Sequence, residues 1–138
     1  MRNCWFLVVL LVALVAGCNG KQSGPQTMGS VDSTHTPKVV FIENFFDFGN
    51  IKQGETVSHT FFFKNEGKGN LIILDAIPSC GCTTPRFSKE PVAPGAQGQV
   101  EVLFNTEGWD GSQIKQVTLK LNTERGFSTV TIRANVIE

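Results

Sequence analysis

Strict alternation of apolar and polar side chains in the C-terminal half is the feature that most constrains how this chain can fold. Residues 99–105, 116–121 and 129–136 each place an apolar side chain at every second position. A period of two residues is that of a β-strand with one buried and one solvated face, as in antiparallel sheets. The positions predicted to face the core are Val100, Val102, Phe104, Val117, Leu119, Leu121, Val130, Ile132, Ala134 and Val136.

Further strands are predicted upstream, where short β-branched and aromatic runs are separated by Gly, Asn and Pro clusters. These runs cover residues 38–42, 45–48, 56–64 and 71–77, and no helical periodicity competes with them. About seven strands at this spacing are typical of an all-β, immunoglobulin-like antiparallel β-sandwich, which we predict for residues 38–138. The antibody type is excluded, because Cys80 and Cys82 lie in one predicted loop and the chain has no tyrosine for a tyrosine corner.

Residues 1–17 are predicted to be a cleavable signal peptide. Arg2 precedes an unbroken apolar run over residues 5–15, and two small residues follow the run. A membrane-spanning helix needs about 20 apolar residues, so this run is too short to stay in the membrane as an anchor. Residues 18–37 are rich in Gly, Ser, Thr, Gln and Pro. Such a composition buries too little apolar surface to offset the entropy of ordering, so this segment is predicted to be a flexible tether.

The segment Leu-Val-Ala-Gly-Cys that ends at Cys18 resembles the bacterial lipobox. The resemblance implies a thioether-linked diacylglycerol on Cys18, cleavage before it, and acylation of the new amino terminus with a fatty acid such as palmitate. Several acyl chains anchor a protein stably, whereas one binds only reversibly. Asn19 is not the aspartate associated with inner-membrane retention, so we expect a periplasm-facing lipoprotein of the outer membrane. The alternative is an ordinary secretory signal with an incidental cysteine.

Four short motifs in the predicted domain resemble a known bacterial family. They are Phe-Asp-Phe-Gly-Asn-Ile-Lys-Gln-Gly-Glu at residues 46–55, Phe-Phe-Phe-Lys-Asn-Glu-Gly at 61–67, Ser-Cys-Gly-Cys-Thr-Thr at 79–84 and Pro-Gly at 94–95. In these motifs the chain is similar to the domain of unknown function 1573 family and, at a greater distance, to the immunoglobulin-like domains of the major sperm protein and hydin type. The resemblance covers residues 40–136 and implies the fold and an exported setting, without an established activity.

Charge and composition argue against nucleic-acid binding and against catalysis. Twelve Lys and Arg residues balance twelve Asp and Glu residues, so the chain lacks the basic excess that phosphate contacts need. The histidines are His35 in the predicted tether and His59 in a predicted strand, and no nucleophile-elbow, phosphate-loop or paired-carboxylate motif occurs. We therefore predict no catalytic residue, no cofactor and no metal site, and we interpret His59 as a satisfied core or edge histidine.

The Cys80-Gly81-Cys82 segment is the candidate site that carries the most chemistry. In an oxidising compartment two cysteines this close favour a disulfide, and Gly81 can adopt backbone angles that other residues avoid. Closing a loop of about three residues would stabilise the fold by only about 1.6 kcal/mol, before any strain. Three interpretations stay open: a disulfide that only shapes the turn, a redox-active pair, and a thiol pair that binds Cu(I).

Trp109 lies in a predicted loop, where a tryptophan can either anchor a partner or pack across the end of the sandwich. Together, the lipid tether, the sandwich and the missing catalytic set predict a non-catalytic binding or structural module. Its expected partner, besides membrane lipid, is a periplasmic protein or glycan, and strand addition along a sheet edge is one possible mode. The alternative is a thiol redox or Cu(I)-handling protein that uses Cys80 and Cys82.

Overall fold

The alternating segments of the sequence form three of the four longest strands of the structure. The computed structural model describes residues 35–138, so the predicted signal peptide, Cys18 and most of the predicted tether lie outside the described residues. Between residues 35 and 138 there is no α-helix, and hence none long and apolar enough to cross a membrane. The strands are β1 (Val39–Phe41), β2 (Phe45–Lys52), β3 (Thr56–Asn65), β4 (Ile73–Pro78), β5 (Thr83–Phe87), β6 (Gln97–Asn105), β7 (Gly111–Leu121) and β8 (Phe127–Ile137).

The strands form two four-stranded sheets that pack face to face. The first sheet has the order β1-β3-β6-β5, and the second has the order β2-β8-β7-β4. Every neighbouring pair is antiparallel except β2 and β8, which are parallel. The chain passes from the first sheet to the second between β1 and β2. These two consecutive strands are therefore edge strands of different sheets. The predicted all-β, immunoglobulin-like sandwich is confirmed, with eight strands rather than about seven.

The strand absent from the sequence analysis is β5. It pairs with β6 from Thr83 opposite Phe104 to Phe87 opposite Val100, and it forms an edge of the first sheet. Pro85 obscured this strand, because proline is depleted in strands and cannot donate a ladder hydrogen bond. An edge strand tolerates proline, since one side of its backbone has no partner to lose.

The core lies between the facing surfaces of the two sheets, where the alternating positions meet. All the apolar positions predicted to face the core are buried, and Phe61 and Phe63 of β3 are buried with them. Full burial of a side chain of this size stabilises the fold by about 1.5–3 kcal/mol. Phe and aliphatic side chains therefore take the place of the inter-sheet disulfide of antibody domains.

Asn65 fixes the end of β3 and explains the Asn-x-Gly-x-Gly run that follows it. Its Oδ1 accepts hydrogen bonds from the backbone nitrogens of Lys38 (3.3 Å) and Gly67 (3.0 Å). Its Nδ2 donates to the carbonyl oxygens of Gly69 (2.8 Å) and Val92 (2.9 Å). A Cβ on Gly67 or Gly69 would overlap the backbone of the segment that enters β1, so glycine is required at both positions.

Candidate functional site

Three connecting segments meet at one end of the sandwich, which we call the disulfide end. Strands β2, β4, β6 and β8 end at this end of the sandwich, and strands β3, β5 and β7 begin there. The segments are the turn at residues 53–55, the loop at residues 79–82 and the loop at residues 106–110.

Hydrogen bonds between these segments brace the disulfide end. The Oγ1 atom of buried Thr106 lies 2.9 Å from the carbonyl oxygen of Lys52 and 2.8 Å from that of Glu55. The backbone nitrogen of Asn105 donates to the carbonyl oxygen of Cys82 at 2.9 Å. All three segments are thus tied to one another through the end of β6.

A disulfide joins Cys80 and Cys82, whose Cα atoms are 5.3 Å apart. The Oγ1 atom of buried Thr83 lies 3.4 Å from the Sγ of Cys80 and 3.7 Å from the Sγ of Cys82. On the other flank, the backbone nitrogen of Ser79 donates to the carbonyl oxygen of Gln116 at 2.8 Å, and the nitrogen of Gln116 donates to the Oγ of Ser79 at 3.0 Å. The loop is therefore held by β7 before the disulfide and by β5 after it.

The disulfide is reachable from solvent at its apex. Both cysteines are half-buried, Gly81 between them is exposed, and a Cβ on Gly81 would meet nothing within 4 Å. An attacking thiolate needs such access to a sulfur atom. The loop thus presents a bond that exchange chemistry could open, and its redox or copper role stays a prediction.

Trp109 packs across the disulfide end. It is half-buried against the core, its backbone nitrogen donates to the carbonyl oxygen of Thr106 at 3.0 Å, and its own carbonyl oxygen accepts from the Nε2 of Gln53 at 2.9 Å. These contacts fix the loop that carries the indole ring. The packing role is visible in these contacts, and an anchoring role toward a partner stays a prediction.

Lys115 lies beneath Trp109 as a buried cation. The residue is 8% exposed, and its Nζ atom is 3.4 Å from the centroid of the Trp109 ring and 5.7 Å from that of Phe104. The Nζ donates one hydrogen bond to the Oε1 of Gln113 at 3.0 Å, and the Nε2 of Gln113 in turn donates to the carbonyl oxygen of Asp110 at 2.6 Å. Aromatic faces attract a cation at such distances, so the two rings take the place of a carboxylate partner.

Burial lowers the pKa of Lys115 below its ordinary value of 10.5. Among residues 35–138 no carboxylate lies within ion-pair distance of this ammonium group to oppose that effect. Lys115 was not among the residues predicted from the sequence, although the sequence contains a signal for it. The alternation of β7, extended back by two residues from Val117, places Lys115 on the inward face.

His59 is held by side chains of the segment between β1 and β2 and of β2. Its Nε2 atom lies 2.8 Å from the Oε1 of Glu43, and its ring stacks on Phe46 with centroids 3.6 Å apart and planes 8° apart. The histidine is thus satisfied at the edge of the core, as the sequence analysis interpreted it. No group of three or more His, Cys, Asp or Glu side chains comes together within the described part of the chain.

A cleft of about 510 Å³ lies at the end of the sandwich opposite the disulfide. It is lined by the segment that enters β1, by residues 67–68 and by the β7–β8 turn. Its basic side chains, Lys38, Lys68 and Arg125, are exposed to solvent. The cleft is therefore an open surface feature whose charges are hydrated.

These features define an immunoglobulin-like β-sandwich domain with a short disulfide loop at one braced end. The chain belongs to the family described as protein of unknown function DUF1573, whose model matches residues 39–136. The family resemblance of the sequence motifs is therefore confirmed. No curated protein matches the chain.

Solved structures share the fold. A protein of unknown function from Porphyromonas gingivalis is 17% identical, with a TM-score of 0.67, and the match covers 77% of this chain and 50% of that one. The ASH/PapD-like domain 7 of human CEP192 is 11% identical, with a TM-score of 0.55 and coverage of 85% and 96%. The VesB protease of Vibrio cholerae is 17% identical, with a TM-score of 0.55 and coverage of 76% and 32%. The chain spans half of the Porphyromonas protein, and identities this low show the fold alone.

Proposed function

We propose that this protein is a lipid-anchored, periplasm-facing lipoprotein whose immunoglobulin-like domain is a non-catalytic binding or structural module. The observation that carries the proposal is that the reactive side chains of the domain are already engaged. The Nε2 of His59 contacts Glu43, and Cys80 and Cys82 are bonded to each other. A nucleophilic enzyme needs a base within hydrogen-bond reach of its nucleophile, and the hydrogen-bond partner of both sulfur atoms is the hydroxyl group of Thr83.

Anchoring is tested by the intact mass of the protein extracted from membranes with detergent. The lipobox resemblance predicts a chain that begins at Cys18 and carries a diacylglycerol and a third acyl group. A Cys18→Ser variant should lose the lipid mass and leave the membrane fraction. A wild-type chain without acyl mass, or one that retains residues 1–17, would overturn the anchoring half of the proposal.

Binding is tested by photocrosslinking in the producing cells. A photoreactive residue replaces Gly81, which is exposed and has space for a side chain, and the matched control replaces exposed Glu124 at the opposite end. A partner that docks at the disulfide end gives one discrete adduct from position 81 and none from position 124. Equal, diffuse labelling from both positions would argue against a partner at this end.

Thiol redox or Cu(I) handling is a second candidate, favoured by the exposed apex of the disulfide loop. In the redox version a partner dithiol attacks one sulfur through its thiolate. The bond between Cys80 and Cys82 breaks, these residues gain two electrons and two protons, and the partner leaves as a disulfide. Cu(I) would bind only the reduced pair, because soft thiolates are the ligands it prefers.

This candidate is tested by thiol alkylation and intact mass after a graded series of dithiol reductant. Opening of the pair under mild reduction supports a redox role. A bond that resists reductant until the domain unfolds would leave the disulfide a structural element, and thiols that alkylate at once would lead to titration with Cu(I).

A further inference from the structure

One stretch of β3 has a neighbouring strand on only one side. β1 pairs with β3 only from Val39 opposite Asn65 to Phe41 opposite Phe63, and the last bond runs from the nitrogen of Ile42 to the carbonyl oxygen of Phe62 at 3.0 Å. The chain then leaves for the second sheet, where β2 pairs with β8. Within residues 35–138, β6 is consequently the sole strand neighbour of β3 over residues 56–61.

The register shows which backbone groups face the open side. The carbonyl of Phe62 points toward β1, and the nitrogen of Asn65 donates to Ala96 on the β6 side at 3.0 Å. Because backbone groups of successive residues in a strand point in opposite directions, the N–H and C=O groups of Thr56, Ser58 and Thr60 point to the open side. We call these groups the β3 edge. None of them forms a hydrogen bond with another group of the described residues.

Within their own strands the other sheet edges carry features that prevent strand addition, whereas residues 56–60 carry none and have a charged group only beside them, the carboxylate of Glu43, 2.8 Å from the Nε2 of His59. Natural sheets protect their edges by short strands, bulges, prolines and charged side chains. β1 has three residues, and β2 and β4 are interrupted by register shifts. The protecting side chains on the edge strands are Asp47 and Lys52 on β2, Asp75 and Pro78 on β4, and Pro85 and Arg86 on β5. By contrast, residues 56–60 read Thr-Val-Ser-His-Thr, a regular stretch without proline, acid or Lys/Arg.

The surroundings of the β3 edge differ on its two faces. On the inner face Val57, Phe46 and Phe48 are half-buried, and the ring of Phe46 stacks on His59 and contacts Phe48 edge-on at 4.9 Å between centroids. On the outer face stand the small polar side chains of Thr56, Ser58 and Thr60. A strand added here would therefore meet aromatic surface with every second side chain and hydroxyl groups with the others.

We propose that the β3 edge accepts an extended segment of another polypeptide in which apolar and polar residues alternate. The proposal rests on the proposed binding function and names its partner class and its docking surface. The added strand lies in line with β1 and extends the first sheet. Its backbone takes up the three open N–H groups and the three open C=O groups, and its apolar residues cover the ring stack of Phe46 and His59.

The test uses hydrogen–deuterium exchange of the full chain in detergent with a defined peptide probe. The probe alternates valine and threonine over seven residues and has a lysine at each end. A second probe of the same sequence is N-methylated at every one of the seven residues, so neither of its edges can donate. We expect the first probe to slow exchange of the amide protons of Thr56, Ser58 and Thr60, which point to the open side, and the N-methylated probe to have no effect.

The matched variants are Ser58→Pro and Ser58→Ala. Ser58→Pro removes an N–H that points to the open side and breaks no bond to β6, whereas Ser58→Ala removes the hydroxyl and keeps the N–H. Ser58→Pro should weaken probe binding by roughly tenfold or more, and Ser58→Ala should bind as the wild type does. If Ser58→Pro fails to fold, the comparison of the two probes on the wild type still tests whether the probe binds through backbone hydrogen bonds.

Several outcomes would overturn the proposal. These are no protection by the probe, protection of β2, β4 or β5 instead, or equal protection by both probes. Protection of the amides of Thr56, Ser58 and Thr60 without probe would also overturn it. Loss of that protection on dilution would assign the edge to a second copy of this chain, and its persistence would assign the edge to the chain's own N-terminal part. A crosslinked adduct from position 81 together with a negative result here would keep the proposed binding function and remove only this docking surface.

Discussion

The ammonium nitrogen of Lys115 lies 3.4 Å from the centroid of the Trp109 ring, with one hydrogen bond to Gln113 and no ion pair to a described carboxylate. The strand β7 supplies the cation, and the loop that precedes β7 supplies the ring that covers it. A cation thus contributes to closing the same end of the sandwich that carries the disulfide. This arrangement makes the disulfide end sensitive to changes in either residue.

Replacement of Lys115 by methionine should change how stability depends on pH. Burial lowers the pKa of Lys115 in the folded chain below 10.5, so between that lowered pKa and 10.5 the unfolded chain binds more protons than the folded one. The free energy of unfolding of the wild type should therefore rise with pH across this window relative to Lys115→Met. Urea denaturation at a series of alkaline pH values measures the difference.

Lys120→Met is the matched control for this experiment, because Lys120 is exposed on the same strand. It should follow the wild type at every pH. A constant difference between wild type and Lys115→Met from neutral pH to beyond 10.5 would contradict the assigned effect of burial on the pKa of Lys115.

Loss of the Trp109 ring should both destabilise the domain and uncover Lys115. We expect Trp109→Ala to lower the free energy of unfolding by roughly 1–3 kcal/mol, because the cation–π contact and the packing at the disulfide end are lost together. The Lys115 amine should then react faster with an acylating reagent, as followed by peptide mass spectrometry. Trp109→Phe keeps an aromatic face and should stay close to the wild type. Unchanged labelling in Trp109→Ala would mean that the ring does not cover the amine.

The disulfide should contribute little to folding stability. A double variant, Cys80→Ser with Cys82→Ser, should lose no more than about 1.6 kcal/mol of unfolding free energy, because the closed loop of about three residues restricts the unfolded chain only weakly. Denaturation of the wild type with and without reductant provides an independent comparison. A loss of about 3 kcal/mol or more would show that the loop holds the two sheets together.

Replacement of the Asn65 amide by a group that cannot donate hydrogen bonds should destabilise the domain. In Asn65→Asp the carbonyl oxygens of Gly69 and Val92 lose their donor and face a carboxyl oxygen in a buried position. We expect the free energy of unfolding to fall by about 3 kcal/mol or more, since each unsatisfied buried group costs about 1–3 kcal/mol. Asn70→Asp, at an exposed position nearby, should change stability by less than about 0.5 kcal/mol. Equal stability of the two variants would contradict the role assigned to Asn65.

Prediction from the sequence succeeded best for the burial of residues whose inward or outward direction depends only on their position within one strand. Alternation in β6, β7 and β8 identified the buried face because successive side chains of a strand point to opposite faces. The same reasoning failed for β5, where Pro85 interrupts a five-residue pattern and the strand exists because β6 offers it a partner. It also stopped short of Lys115, whose inward position the pattern contained but whose covering ring comes from a separate loop.

The sequence by itself determined the strand-rich class, the inward face of the long strands and the Cys80-Gly81-Cys82 segment, because each of these depends on residues close together along the chain. Only the tertiary structure decided that Trp109 and the disulfide loop share one end and that β1 leaves β3 at Ile42. It also decided that the backbone groups of Thr56, Ser58 and Thr60 face no neighbouring strand within the described residues. Strand pairing joins segments distant in sequence, and hydrogen-bond register, which local composition does not encode, sets which groups are left without a partner.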